Sequence, residues 1–480
     1  MTILVGRPLN WAITATAGSG FLLFGYDQGV MSGLLTGYAF TRTFPEIDTT
    51  NGGGGSSSLQ GTVVAIYEIG CFFGAIFCLL VGERLGRRRC IMIGCVVLSI
   101  GAALQAAAFG IPQMIPQSHK KLTIIIIITD GMSFIANDAQ FRFPLALQIL
   151  FAVVTFLGVL VLPESPRWLI AHDRHDEARH VLWAVERDAR SISETEPKLE
   201  RNLAEIQAAI REEREAANAG SFRMMFKNGD QKFFYRTMLG IGGQFMQQLS
   251  GINLITYYAP VIFQESVGMT HSLSLLLAGF NGIAYFFSSL IPIWIIDRLG
   301  RRKLMLFAAA GQCACMAVLA GTVSNGSVPA GIVAIVMLFL FNFFFAVGLL
   351  AIPWLLPAEY APLAIRTRAA ALATASNWIF TFLVVEITPV SIRNIGWRTY
   401  VYFCVFNAFF VPLIYFFYPE TRNLSLEQID RLFTGGKVQL YWKASMGTPG
   451  EGGTGIVDEK DSESGSGKVL RVENKEDSPN

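Results

Sequence analysis

The sequence GERLGRRR at 82–89 and the sequence IDRLGRRK at 296–303 share the motif Arg-Leu-Gly-Arg-Arg. Each copy lies between two long apolar runs. A second pair of related sequences, PESPRW at 163–168 and PETRNL at 419–424, follows an apolar run each time. Two markers that recur in the same order indicate that a membrane unit is duplicated within the chain.

The spacing of these markers shows that the first copy is the shorter one. Gly300 and Pro419 are 119 residues apart, whereas Gly86 and Pro163 are 77 residues apart. One membrane-spanning helix needs about 20 residues, so the difference amounts to about two spans. The sequence therefore predicts a first half that lacks two spans.

The composition places the chain in a lipid bilayer. It has 15% charged and 52% hydrophobic residues and a mean hydropathy of +0.44, whereas a soluble domain carries about 25% charged residues. The net charge of +2 offers no basic surface, so no nucleic-acid partner is expected. The seven cysteines lie in or beside apolar runs and are interpreted as free packing thiols.

No pattern of catalytic residues is found. The five histidines lie in loops, without metal-site spacing and without a neighbouring nucleophile: His119, His172, His175, His180 and His271. The chain is therefore predicted not to be an enzyme, and neither a cofactor nor a metal is expected.

Ten apolar segments are long enough to be spanning helices. They lie near residues 12–35, 60–82, 90–110, 142–162, 237–263, 272–296, 303–323, 331–357, 369–391 and 399–418. Because residues 111–140 contain only one short apolar patch, Leu122–Ile128, no further span fits there. An even number of missing spans leaves the direction of every later helix unchanged.

Basic residues are concentrated in alternate loops. The basic loops carry Arg84, Arg87, Arg88 and Arg89, then Arg298, Arg301, Arg302 and Lys303, and finally Arg366 and Arg368. The loops between them, 36–59, 264–271 and 323–329, contain a single arginine, Arg42. The positive-inside rule therefore predicts that the basic loops and both termini are cytoplasmic.

Four regions follow from this pattern. Residues 1–162 are predicted to form an N-terminal transmembrane half with about four spans, and residues 236–420 a C-terminal half with six. Residues 163–235 are polar with helical periodicity and are interpreted as a cytoplasmic helical linker domain. Residues 421–480 form a cytoplasmic tail that is expected to be disordered from about residue 447, because glycine, serine, glutamate and lysine dominate it.

The motifs together resemble those of the sugar porter family of the major facilitator superfamily, in its fungal monosaccharide branch. Besides the two loop motifs, they are PESPRWL at 163–169, QQLSGIN at 247–253, PW..PAE at 353–359 and PETRNLSLEQID at 419–430. The resemblance implies an all-α membrane protein, a helical bundle of two inverted-repeat halves with about 10 spans instead of 12. The fourth and most of the fifth span are missing, with residues 115–130 in their place.

The resemblance also implies a function. The expected substrate is a monosaccharide, which is either a hexose such as glucose or the pentose xylose. The expected mechanism is alternating access. The protein is expected to be a monomer in the plasma membrane. A proton is the expected coupling ion in intact members of the family.

Amide side chains mark the expected binding site. A continuous helix would place Gln244 and Gln248 on one face, with Asn253 and Tyr257 on a neighbouring face. From the residue types alone, bonds to neighbouring helices and bonds to sugar hydroxyls are about equally good explanations. The resemblance favours sugar binding, and it implies a substrate site made of Gln247, Gln248, Asn253, Tyr285, Trp354 and Asn377. The prolines at 353 and 357 predict a helix break beside Trp354.

One acid lies within the first span. An ionisable group in a bilayer is a functional site by default, which singles out Asp27. In proton-coupled sugar porters the matching aspartate takes the proton, and an arginine of the fourth span sets its proton affinity. Asp27 is therefore the candidate proton-coupling residue, although its fourth-span partner is missing here.

Recurring acids accompany the basic loops. The positive-inside rule explains the arginines but not the acids, and the resemblance implies a network of salt bridges that acts as a gate at the cytoplasmic side. Its members are Glu83, Arg87, Arg88, Glu164 and Arg167 in the first half and Asp297, Arg301, Arg302, Glu359, Arg366 and Glu420 in the second. With two spans missing, this network is expected to be weakened.

Two alternatives to a carrier stay open at this point. One is a sugar sensor that does not transport, although the tail shows no signalling motif. The other is an inactive product of a misspliced gene model, with residues 115–130 as the trace of the error. The messenger RNA around these codons would distinguish a misspliced product from a genuine ten-span chain.

Overall fold

The apolar runs form helices, because in hydrocarbon every backbone N–H and C=O group has to be bonded within the protein. A computed structural model describes residues 4–49, 54–108, 137–187, 189–219, 222–266, 268–424 and 426–434. The predicted insert at 115–130 and the predicted disordered tail from about 447 lie outside these ranges. The prediction of an all-α membrane bundle is confirmed.

In the N-terminal part, the described residues form five α-helices. They are α1 (Arg7–Leu34), α2 (Tyr38–Thr43), α3 (Ser57–Leu85), α4 (Arg87–Ala106) and α5 (Ala139–Val161). Although the residues between α4 and α5 are outside the description, these two helices pack against each other, and α1 packs against α5.

Three α-helices of the described residues follow, and then the C-terminal part. We call them the linker helices: α6 (Pro166–Ala171), α7 (His175–Val185) and α8 (Pro197–Ala219). The C-terminal part consists of α9 (Phe233–Leu249), α10 (Ile252–Val261), α11 (His271–Leu299), α12 (Arg301–Asn325), α13 (Val328–Gly348), α14 (Ile352–Tyr360), α15 (Arg366–Ile395), α16 (Arg398–Phe417) and α17 (Leu426–Thr434).

Eight helical stretches in the described ranges are long and apolar enough to cross a membrane. They are Ser57–Gly82, Arg87–Ala106, Ala139–Val161, His271–Leu299, Arg301–Asn325, Pro329–Tyr360, Arg366–Ile395 and Arg398–Phe417. The other two of the ten predicted spans are helical as well, as α1 and as the pair α9 and α10. The span count therefore agrees approximately with the sequence pattern.

The predicted span at 237–263 is not one continuous helix. It is broken at Gly251, whose φ of 98° is a left-handed conformation that glycine adopts without strain. A Cβ atom at this position would lie 3.0 Å from the ring of Phe403 and 3.1 Å from the methyl group of Met316. The expectation of one continuous helix, with Gln248 and Asn253 on neighbouring faces, is therefore wrong, because the chain turns at Gly251 between them.

The two sequence markers of each half meet in space. Gly86 and Gly300 have φ values of 83° and 91°, and each precedes a helix that begins with arginine. The Glu164 carboxylate accepts a hydrogen bond of 3.1 Å from the backbone N–H of Arg88. The Glu420 carboxylate likewise accepts bonds from the first two backbone N–H groups of α12, at 2.9 and 3.2 Å. An acid at a helix N-terminus satisfies unpaired N–H groups and the helix dipole.

We call the end of the bundle with these capped loops the Arg-rich end, and the other the opposite end. The two halves contact each other mainly through α3 against α15 and α1 against α10. Tyr67 and Trp378 form an edge-to-face ring pair with centroids 6.2 Å apart. Nearer the opposite end, a Cβ atom at Gly61 would lie 2.6 Å from the carbonyl oxygen of Glu386. The halves are therefore in close contact from the bundle middle to the opposite end.

The linker helices α6 to α8 share a separate apolar core. It consists of Leu169, Ile170, Ala178, Val181, Leu203 and Ile210. The start of α1 is attached to it, since Gly6 N–H donates to the Ala184 carbonyl at 2.7 Å and the Asn10 amide donates to the Val185 carbonyl at 2.8 Å.

Replacing Gly251 by alanine is expected to lower the midpoint of thermal unfolding in detergent. The left-handed backbone costs an L-residue about 1–2 kcal/mol, and the added Cβ also presses on Phe403 and Met316. Gly326→Ala is the matched control, because Gly326 has a φ of 67° and no atom within 4 Å of the added Cβ. An equal loss of stability in both variants would contradict the packing argument.

Candidate functional site

The site begins with two prolines: Pro353 follows the break between α13 and α14, and Pro357 lies inside α14. Proline has no backbone N–H, so in a helix the carbonyl four residues earlier loses its donor. For Pro353 this is the carbonyl of Leu349, and for Pro357 it is the carbonyl of Pro353 itself. In a bilayer no water is at hand to replace these donors.

Two glutamines on α9 supply the missing donors. Gln247 Nε2 donates to the Leu349 carbonyl at 2.7 Å and to the Leu350 carbonyl at 2.8 Å. Gln244 Nε2 donates to the Pro353 carbonyl at 3.0 Å. The break between α13 and α14 is thus attached to α9 by amide side chains.

Asn377 of α15 joins the same group. Its Nδ2 atom donates to Gln244 Oε1 at 2.6 Å and to Gln247 Oε1 at 2.8 Å. Gln248 Nε2 donates to Gln247 Oε1 at 3.3 Å, and Asn253 Nδ2 donates to Gln248 Oε1 at 2.6 Å. The break at Gly251 is what brings Asn253 back to Gln248. We call these five side chains the amide cluster.

The amide cluster is buried and carries no formal charge. Each member is less than a tenth exposed, and the most exposed are Gln248 at 7% and Asn253 at 8%. An amide both donates and accepts, as a hydroxyl does, so a polyol can replace these contacts one for one. The arrangement suits recognition of neutral hydroxyl groups, and it has no nucleophile or acid with which to do chemistry.

The structure brings four of the six predicted sugar-binding residues together: Gln247, Gln248, Asn253 and Asn377. Trp354 lies one residue after Pro353, at the start of α14, and is 43% exposed. Tyr285 lies on α11, where its ring packs against Phe345 with centroids 6.3 Å apart. The predicted roles of all six in sugar binding stay predictions.

Gln244 is a member of the cluster that the predicted site did not include. Its position three residues before Gln247, less than one turn away, is the only signal of this role in the sequence. The identity of its partners depends on how α14 and α15 pack against α9, which the sequence does not reveal.

The predicted gate residues form contacts within each half. Arg301 bonds to Asp297 at 2.9 Å and to Glu359 at 3.3 Å, and Glu359 also accepts from the Thr421 hydroxyl at 2.6 Å. In the first half, Arg87 donates to the Ser165 hydroxyl at 2.7 Å. Further contacts of this kind link Arg88 to the Leu160 carbonyl, Arg302 to the Tyr415 carbonyl and Arg366 to the Ala361 carbonyl.

These contacts fasten the helices of a half to one another. Arg167 is exposed at the same end. The side chains of Asp27 and Glu83 lie outside the described part of the chain, although both residues belong to helices, α1 and α3. A gating role for these residues stays a prediction.

Replacing Gln244 by leucine is expected to destabilise the protein, because the buried Pro353 carbonyl then has no donor. An unsatisfied buried carbonyl costs about 1–3 kcal/mol. Gln312→Leu is the matched control, because Gln312 is fully buried and neither of its amide atoms has a hydrogen-bond partner in the described part of the chain. The measurement is the thermal unfolding midpoint of the two variants. A larger loss in the control would contradict the role given to Gln244.

Known proteins match this chain along most of its length. The profile of the family described as "Sugar (and other) transporter" matches residues 11–125 and 122–433. The MFS-type transporter oryC of Aspergillus oryzae is 37% identical over 473 residues, which cover 90% of this chain and 86% of that protein. The sugar transporter STL1 of Saccharomyces cerevisiae is 32% identical over 477 residues, covering 90% and 82%.

A solved structure shares the fold. The proton:xylose symporter XylE of E. coli, bound to 6-bromo-6-deoxy-D-glucose, superposes with a TM-score of 0.70 at 22% identity, over 89% of this chain and 100% of that one. The matching profile covers well over half of the chain. The chain therefore belongs to the sugar transporter family, as a multi-pass membrane protein of the major facilitator type.

Proposed function

We propose that this protein carries a monosaccharide across the membrane by alternating access. The substrate is a hexose such as glucose, or the pentose xylose. The observation that carries the proposal is the amide cluster, a neutral group of donors and acceptors buried between helices. It joins α9, α10 and α15 to the proline break of α14. The names of STL1 and XylE, a sugar transporter and a xylose symporter, support the same substrate class.

The amides explain how binding and movement are connected in this proposal. Gln247 bonds at once to the break of α13 and α14 and to Asn377 of α15. A sugar hydroxyl that takes over the bond from Asn377 releases Gln247 from α15, while Gln247 keeps its bonds to the break and to Gln248. Substrate thus alters the contacts at a helix break, which is the element that can bend.

We propose the following orientation. The Arg-rich end faces the cytoplasm, as the positive-inside rule requires, with both termini on that side and the protein in the plasma membrane as a monomer. The opposite end, where α3 and α15 are in close contact, then faces outward. Contact between the halves on the outer side supports an inward-facing conformation for the described structure.

Coupling to protons through Asp27 is not part of this proposal. The family resemblance pairs this aspartate with an arginine of the fourth span, and the marker spacing leaves no room for that span. Transport by this chain is then either facilitative or coupled through another group.

Replacing Gln248 by alanine is expected to raise the KM of sugar uptake about fivefold, and about thirtyfold when Asn253→Ala is added. The loss corresponds to one or two hydrogen bonds of about 1 kcal/mol each. The measurement is initial uptake of labelled glucose and xylose by cells that lack their own hexose carriers. Gln312→Ala is the control and should leave KM unchanged. Equal KM values for Gln248→Ala and the parent would contradict the site.

Replacing Trp354 by alanine is expected to reduce the maximal rate of uptake more than the surface expression. An aromatic ring at the start of α14 can stack on the apolar face of a sugar beside the break. Trp294→Ala is the matched control, because Trp294 is a 65% exposed tryptophan on α11 with no predicted role. An unchanged rate in Trp354→Ala, with normal expression, would exclude the tryptophan from the site.

A further inference from the structure

An acidic side chain lies in the middle of α3, at the contact between the two halves. Glu68 is fully buried, and its Oε1 atom accepts a hydrogen bond of 2.9 Å from the Tyr257 hydroxyl of α10. It lies near the centre of the apolar stretch Ser57–Gly82, and therefore near the centre of the bilayer. Acids at this depth are costly, and they mark the path of a substrate or an ion.

The hydrogen bond to Tyr257 does not by itself require an acid. Other buried tyrosine hydroxyls of this protein donate to backbone carbonyls: Tyr26 to Pro144, Tyr258 to Val385, Tyr360 to Pro419 and Tyr418 to Leu239. A neutral acceptor is therefore enough to satisfy a tyrosine inside this bundle. The carboxyl group on α3 needs a further explanation.

The position of the buried acid relative to the amide cluster supplies this explanation. Its partner Tyr257 lies four residues after Asn253 on α10, on the same helix face and about 6 Å further along. The residue before the acid, Tyr67, forms the edge-to-face pair with Trp378, which directly follows Asn377 on α15. Helix α3 thus contacts α10 and α15 beside two members of the amide cluster.

A carboxyl group at this place adds an acceptor to the site. Its two oxygens have about four lone-pair positions, of which the Tyr257 hydroxyl takes one, so the group has the capacity to accept from a second hydroxyl. A site that accepts a hydrogen bond from one hydroxyl of a substrate rejects analogues that lack this hydroxyl. Glu68 is therefore placed to discriminate between polyols.

We propose that Glu68 is a specificity-determining residue of the sugar site, contributed by the first half of the bundle. Its carboxyl group accepts a hydrogen bond from one sugar hydroxyl, beside Tyr257, while the amide cluster binds hydroxyls on the side of the second half. A sugar held in this way joins α3 to α10 and α15. The inference rests on the proposed monosaccharide substrate, and it extends the site beyond the six residues that the sequence predicted, all of which lie in the second half.

The test measures sugar binding to the purified full chain in detergent. Labelled glucose, or labelled xylose where it binds more tightly, is displaced by the series of monodeoxy analogues, each of which lacks a different hydroxyl. The loss of affinity of each analogue relative to the intact sugar is the penalty for that hydroxyl. The variant is Glu68→Leu together with Tyr257→Phe, because replacing both partners of a hydrogen bond by apolar groups of similar shape costs little stability.

In the parent, the hydroxyl that Glu68 binds should carry a penalty of at least about fivefold. In the double variant this one penalty should fall to nearly nothing, whereas the penalties for the other hydroxyls persist. Glu68→Gln keeps a carbonyl oxygen as acceptor, and Tyr257→Phe keeps the carboxyl group, so each of these single variants should retain the penalty. Glu386→Gln is the matched control, because Glu386 also lies between the halves, where it accepts from the Thr62 hydroxyl at 2.8 Å. It should leave every penalty as in the parent.

Three results would overturn the proposal. They are an unchanged set of penalties in the double variant, an equal loss of affinity for the sugar and all its analogues, which a merely structural role produces, and loss of the same penalty in Glu386→Gln. A parent that binds neither glucose nor xylose would overturn the proposed substrate and this inference together. Failure of transport alone would show in the uptake assay and would leave the binding penalties intact.

Discussion

Backbone carbonyls without donors are the constraint on which the rest of this structure depends. Pro353 and Pro357 remove the helical donors of the Leu349 and Pro353 carbonyls within the apolar bundle. Gln247 and Gln244 replace these donors, since their amides donate to the Leu349 and Pro353 carbonyls at 2.7 and 3.0 Å. A helix can break at this depth only because another helix presents neutral donors to it. The same amides then have acceptor oxygens left for Asn377 or, in the proposed mechanism, for a sugar.

A second constraint explains why two short motifs recur so far apart in the sequence. The loop glycines at 86 and 300 start a helix in a left-handed conformation, and the new helix needs acceptors for its first N–H groups. Glu164 and Glu420 supply them from 78 and 120 residues further along. The pair of motifs is therefore one capping device in each half. It is present in the first half as in the second, and there α4 and α5 pack against each other.

The polar side chains inside the bundle differ in charge and in place. Neutral amides hold the helix break and offer hydrogen bonds to hydroxyl groups. The carboxyl groups of Glu68 and Glu386 lie at the contact between the halves, where they accept hydrogen bonds from Tyr257 and Thr62. Burial of an amide that is hydrogen-bonded costs little, whereas a buried carboxylate needs a donor or a cation. The helix break and the contact between the halves thus depend on different chemical groups of the same fold.

The sequence by itself determined the membrane class, the duplication and the family, because these follow from composition, recurring motifs and apolar run length. It also determined four members of the amide cluster, since polar residues inside apolar runs are conspicuous. Only the tertiary structure decided that Gly251 breaks the fifth run, that Gln244 completes the cluster, and that Tyr285 packs against Phe345. It alone paired Thr62 with Glu386, 324 residues apart. Local patterns fix helices, but the partner of a side chain depends on which helices pack together.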